Sequence, residues 1–248
     1  EDDTLPVDPP TAHDPINGPP RSIYDLERFE RKICSQSGED GVLAAIFAMV
    51  GARDRRYVEF GCGDGLQCNT ARLRRQGWRG VLMDGLAEPA APDVLIHREW
   101  IDAENINDIF ARHGVPREFD LLSIDLDGND YWVWRALAHR PRVVVCEYNA
   151  NLGPTARLTI PYDPGHRWDG TDFYGASLAA LDHLAREKGY TLLYCNHTGV
   201  NAFFLRDDLV PPGPRRSPAE IYRPPNYCHR GGRSPVNLAR PLIDPCRI

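Results

Sequence analysis

Between residues 23 and 210 short apolar runs alternate with longer stretches of helical spacing. The runs at 57–60, 80–83, 94–97, 119–124, 142–146, 191–194 and 200–205 predict seven strands. Helical spacing predicts helices at 40–50, 69–76, 106–113, 131–138 and 176–188. Leu178, Leu181 and Leu184 give the last of these its apolar face, and Gly189 follows as a stop. The runs "LLSI" and "VVVC" read as strands buried on both faces of a parallel sheet. Only a short turn at 196–199 separates the last two strands, which requires them to be antiparallel. The pattern predicts a single doubly wound α/β domain with a mostly parallel seven-stranded sheet and an antiparallel last strand. "YWVW" at 131–134 predicts a helix on which Trp132 and Trp134 cannot both face the core.

The two ends differ from this middle. Residues 1–22 carry six prolines and few apolar side chains, as an extended arm does. Residues 211–248 carry nine prolines but also Ile221, Tyr222, Tyr227, Val236, Leu238, Leu242 and Ile243. That extension is apolar enough to wrap the domain or to reach a second subunit of a homodimer.

Charge and composition narrow the function. The net charge of -6 gives no basic face for a nucleic-acid partner. Arg53, Arg55 and Arg56 read as a solvated loop. No apolar run approaches the roughly 20 residues that span a bilayer, and the acidic, proline-rich start lacks the regions of a signal peptide. Seven cysteines in no zinc spacing are expected to be free thiols of a reducing cytoplasm.

The sharpest chemical signal is "YVEFGCGDG" at 57–65. A strand ends in Glu59 and opens into Gly61, Gly63 and Gly65, which let the backbone turn tightly and approach a ligand at the strand's carboxyl end. Leu66 breaks the dinucleotide spacing G-x-G-x-x-G, and no G-K-[ST] follows for a nucleotide phosphate. An acid two residues before the first glycine suits a cationic ligand without phosphates.

"VEFGCGDG" resembles the first motif of class I S-adenosylmethionine (SAM) dependent methyltransferases. With "SQSGED", "GWRGVLMDG" and "SIDLDGNDYW" it is similar to the FkbM-type branch of O-methyltransferases over roughly residues 33–150, to which "VNAFFLRDDL" adds. The resemblance implies a Rossmann-like methyltransferase fold, with the cofactor at Glu59, Gly61, Gly63 and Gly65. It implies that Asp84 binds the ribose hydroxyls, where the branch often has glutamate, and that Asp102 contacts the adenine amine. Asp125 is a candidate for the SAM amino group. An origin in natural product biosynthesis follows from family resemblance alone.

Asp125, Asp127 and Asp130 follow the fourth strand, while Glu147 and Asn149 end the fifth. In a parallel sheet these ends lie side by side, and crowded carboxylates repel unless a cation or proton intervenes. The layout resembles metal-dependent O-methyltransferases and implies a magnesium site at Asp125, Asp127, Glu147 and Asn149, although Tyr148 separates a pair that is adjacent in that family. Two other readings stay open: metal-free catalysis with a carboxylate or histidine base, and a structural role for the acids. Asp125, Asp130 and His166 are the catalytic candidates.

Residues 150–175 are too long for a plain connection and read as a lid over the acceptor. Tyr162, His166, Trp168 and Tyr174 are its candidate contacts, suited to a polyhydroxylated or aromatic small molecule. The sequence therefore predicts SAM-dependent methylation of a small-molecule hydroxyl, such as one on a sugar or secondary metabolite. Alternatives are a metal-independent N-, C- or carboxyl-methyltransferase, or a SAM-fold protein that binds without catalysis.

Overall fold

The predicted strands form one sheet: β1 (Arg56–Phe60), β2 (Arg79–Asp84), β3 (Ile96–Arg98), β4 (Leu121–Ile124), β5 (Val143–Glu147), β6 (Tyr190–Cys195) and β7 (Asn201–Arg206). The computed structural model describes residues 18–86, 88–227 and 240–247. Residues 1–17 of the predicted arm, and Val236 and Leu238 of the predicted extension, lie outside them. The strand order is β3-β2-β1-β4-β5-β7-β6, and β7 runs antiparallel between β5 and β6. From β1 the chain builds toward one edge through β2 and β3, then returns to build the other half from β4. The order reverses between β1 and β4, and open α/β sheets bind ligands at the strand carboxyl ends of such a point.

Period-two alternation in the strands sorts the core into two layers. Val58, Phe60, Leu122 and Val144 face α3 (Ile106–Arg112), α4 (Asp130–Ala136) and α5 (Leu178–Glu187). Tyr57, Leu121, Val143 and Val145 face α1 (Glu39–Val50) and α2 (Ala71–Arg75). Of the two tryptophans on α4, Trp134 is fully buried in the core, while Trp132 donates its indole N–H to the Ile160 carbonyl.

Two helices start later than their periodicity predicts, each because side-chain bonds hold the preceding residues in another conformation. α2 begins at Ala71 because the N–H groups of Asn69 and Thr70 are bound by Glu59. α5 begins at Leu178 because Ser177 caps it, accepting from the Ala180 N–H, while Ala176 pairs with Thr159. Gly189 ends α5 with a positive φ of 79°.

The described part of the C-terminal extension lies on its own domain. Tyr148 Oη donates to the Arg223 carbonyl at 2.7 Å, Tyr222 Oη to the Ala150 carbonyl at 2.7 Å, and Thr159 exchanges backbone bonds with Ile243. The described cysteines are all free thiols, and among the described residues no helix is long and apolar enough to cross a membrane.

Candidate active site

At the switch point β1 ends in a turn pressed against β4. Gly61 has φ of 71°, and its N–H donates to the Met83 carbonyl of β2. A Cβ at Gly61 would lie 1.3 Å from the Asp125 carbonyl oxygen, so no side chain fits. The turn is closed from below by Glu59. Its buried carboxylate accepts from the N–H groups of Asn69 (2.7 Å) and Thr70 (2.9 Å) and from the Thr70 hydroxyl (2.5 Å). Burial raises its pKa against these bonds. The sequence assigns Glu59 to the ligand; the structure engages both its oxygens with the loop backbone and leaves it in the cleft floor.

Above the turn are two joined cavities. The larger, about 750 Å³, is bordered by the glycine turn, Asp125, Asp127, Glu147, Trp168 and Tyr174. The smaller, about 370 Å³, is bordered by Met83, Leu86, Trp100, Ile101, Leu126 and His166. Gly61, Asp84, Asp125, Asp127 and Trp168 border both. Asp84 stands at the joint, accepting from the N–H groups of Gly63 (3.0 Å) and Leu86 (2.8 Å).

Asp125, Asp127 and Glu147 converge, each offering an oxygen within 4.8 Å of the others. Asp127 takes the left-handed conformation with φ of 52°, uncommon for a residue with a side chain and tolerated best by Asp and Asn. Asp125 and Glu147 are pushed well above the usual carboxylate range, by burial first and by neighbouring carboxylates second. Burial, with Asp84 nearby, raises Asp127 as well. Glu147 Oε2 is buried without a hydrogen-bond partner among the described residues.

Four residues assigned from the sequence are engaged by other partners in the structure. Asn149 is fully buried and bonded on every side: its Nδ2 donates to the carbonyls of Asp172 and Tyr174, and its Oδ1 accepts from Asn151. It has no free oxygen for a metal. Asp130 lies fully buried under the β4–α4 loop, accepting from the N–H groups of Leu126 (2.7 Å) and Gly128 (3.1 Å), and so organises the loop away from the cavities. Asp102 accepts from the Asn105 N–H at 2.8 Å and closes the turn into α3, while its neighbours Trp100 and Ile101 reach the cavity. Tyr162 Oη is tied to Glu104 and to the Ala103 N–H, outside both cavities.

The other lid residues do meet the cleft. Trp168 and Tyr174 rings lie 6.1 Å apart, and Tyr174 Oη bonds Tyr227 Oη of the C-terminal extension at 2.6 Å. His166 packs on Gly128, with its Nε2 buried and without a partner among the described residues and its pKa lowered by burial. Gln36, Trp100, Asn201 and Tyr227 also border the cavities; Gln36 and Asn201 lie in the "SQSGED" and "VNAFFLRDDL" segments, but the sequence assigns none of the four to the site.

Burial pushes Asp130 up to about 6, against the bonds from Leu126 and Gly128. A free aspartate titrates near 3.9. Between these values the folded chain keeps a proton that the unfolded chain has lost, so the native state loses stability as pH rises through that window. Melting midpoints of the wild type relative to Asp130→Asn should therefore fall from pH 4 to pH 6 and level off above. A difference that does not change with pH would contradict this.

No protein-family model and no curated protein matches this sequence. Solved structures do. A protein of Listeria monocytogenes described as an S-adenosylmethionine-dependent methyltransferase is 9% identical, with a TM-score of 0.40 over 62% of this chain and 93% of that one. An S-adenosylmethionine-dependent methyltransferase of Clostridium acetobutylicum ATCC 824 is 11% identical, with a TM-score of 0.39 over 66% and 89%. MycE, a methyltransferase of the mycinamycin biosynthetic pathway solved with Mg, SAH and mycinamycin VI, is 19% identical, with a TM-score of 0.38 over 70% and 60%.

Proposed function

We propose that this chain is a SAM-dependent methyltransferase that methylates a hydroxyl of a small-molecule acceptor, assisted by a divalent cation such as Mg2+. The observation that carries the reading is the pair of cavities joined at Asp84. The smaller has walls of Met83, Leu86, Trp100 and Ile101, which suit a flat purine. Asp84 at the joint suits a vicinal diol. The larger cavity holds Asp125 and Glu147, which favour a cationic sulfonium and leave room for an acceptor under Trp168 and Tyr174.

The acids fit a hard divalent ion on two counts: three carboxylates converge, and one buried oxygen of Glu147 lacks a partner among the described residues. Asp125, Asp127 and Glu147 would hold it. When bound, the cofactor supplies an activated methyl group and the ion lowers the pKa of an acceptor hydroxyl. The chain's own task is to align that hydroxyl and take one proton. Asp130 is engaged by backbone, and His166 opens on the smaller cavity. Asp125 borders both cavities and, held to the ion, would align the acceptor oxygen, while the proton goes to His166, whose Nε2 has no partner among the described residues.

Calorimetric titration with S-adenosylhomocysteine tests the reading. The wild type should bind it on the order of micromolar. Asp84→Ala should weaken binding about 10- to 100-fold with little change in melting, as loss of hydrogen bonds to a charged group predicts. Absence of binding in the wild type would sink the proposal. Methyl transfer that survives a chelator would leave the transferase and remove the ion.

A further inference from the structure

We infer that Asn201 supplies an amide oxygen to the cation site, held in that orientation by Glu39; the inference rests on the divalent-ion reading above. Glu147 and Asn201 are directly paired across the β5–β7 ladder. Side chains so paired emerge on one face with Cβ atoms about 5 Å apart. Both border the larger cavity with Asp125 and Asp127.

The orientation of the Asn201 amide is dictated by its surroundings. Its Nδ2 donates to Glu39 Oε1 at 2.9 Å, and an ionised carboxylate can only accept. Glu39 is itself immobilised: it accepts from the N–H groups of Ser37 (3.0 Å) and Gly38 (2.8 Å) and from Asn196 Nδ2 (2.7 Å). The amide cannot flip without facing its oxygen toward an anion. Asn201 Oδ1 is therefore the end turned away from Glu39. Only 5% of the residue is exposed, yet this oxygen has no partner among the described residues.

Two buried acceptors thus stand on neighbouring strands, Glu147 Oε2 and Asn201 Oδ1, and neither has a donor among the described residues. Leaving a buried acceptor unsatisfied destabilises the fold. An electropositive group between them removes both penalties, and hard cations take amide carbonyls together with carboxylates. The Glu39 charge behind Nδ2 strengthens the oxygen as a ligand, which gives the "SQSGED" segment a part in the site. Asn149, the amide expected from the sequence, is excluded because its oxygen is already bonded.

Mn2+ binding to the full chain, followed by electron paramagnetic resonance with S-adenosylhomocysteine present, tests this. The wild type should bind one ion. Asn201→Ala should weaken it about 10- to 100-fold, and Glu39→Gln should weaken it although that residue does not touch the ion. Independently of any variant, Mg2+ added to the wild type should shift the Asn201 side-chain amide resonances and leave those of Asn149 in place. Equal Mn2+ affinity in wild type and Asn201→Ala, or unmoved Asn201 resonances, would overturn the inference while the ion site stands. Failure of the wild type to bind Mn2+ would remove both.

Discussion

Gly61→Ala should be the most damaging single methyl addition in the site, destabilising the fold by more than about 4 kcal/mol. Two costs combine. The residue sits at φ of 71°, where a side chain strains the backbone by about 1–2 kcal/mol. The larger cost is the Asp125 carbonyl oxygen, 1.3 Å from where the Cβ would lie. That oxygen is main chain, and Asp125 N–H is bonded to the Phe60 carbonyl, so β4 cannot retreat without breaking its pairing to β1. Gly63→Ala is the control: φ is 56°, but nothing lies within 4 Å of its Cβ. It should cost only the backbone strain. Urea unfolding of the two variants checks this, and equal midpoints would refute the close-approach argument. S-adenosylhomocysteine binding should be abolished by the first substitution and weakened modestly by the second.

What could be read from the sequence follows from where the information resides. Strand ends and the glycine turn are local, and the structure has them close to the predicted bounds. The doubly wound order was legible because buried parallel strands and helices leave distinct periodicities. The direction of each short acid was not. Asp125, Asp127 and Asp130 lie within six residues, yet the first two face the cleft and the third turns under its own loop. One residue in the left-handed region, Asp127, separates these outcomes, and composition does not report it. Asp102 and Asn149 make capping bonds for the same reason: short polar side chains at element ends serve as caps as readily as ligands. Asn201 lies in the "VNAFFLRDDL" segment, but its place beside Glu147 depends on β7 inserting between β5 and β6. The hairpin is visible in the sequence, but that insertion is not.

The second large effect should come from Glu59→Ala, and it decides whether this acid braces the loop or contacts the cofactor. The carboxylate is 3% exposed. Removing it strands two backbone N–H groups and one hydroxyl at Asn69 and Thr70, both of which are buried. At about 1–3 kcal/mol for each unsatisfied group, the loss should exceed about 3 kcal/mol. Asn69 Nδ2 also donates to Ser123 Oγ of β4 at 3.0 Å, so the released loop would loosen its hold on the strand that carries the acids. Glu59→Gln keeps the shape but turns an NH2 group toward a donor, and should fall between alanine and wild type. Gln67 and Asn69 border the larger cavity, so cofactor affinity should fall together with stability. Asp84→Ala should lower affinity alone. Melting and S-adenosylhomocysteine titration on both variants separate the roles. Lost binding at an unchanged melting temperature in Glu59→Ala would make Glu59 a ligand contact, as the motif implies; lost binding with a large drop in melting temperature makes it the brace under the glycine turn.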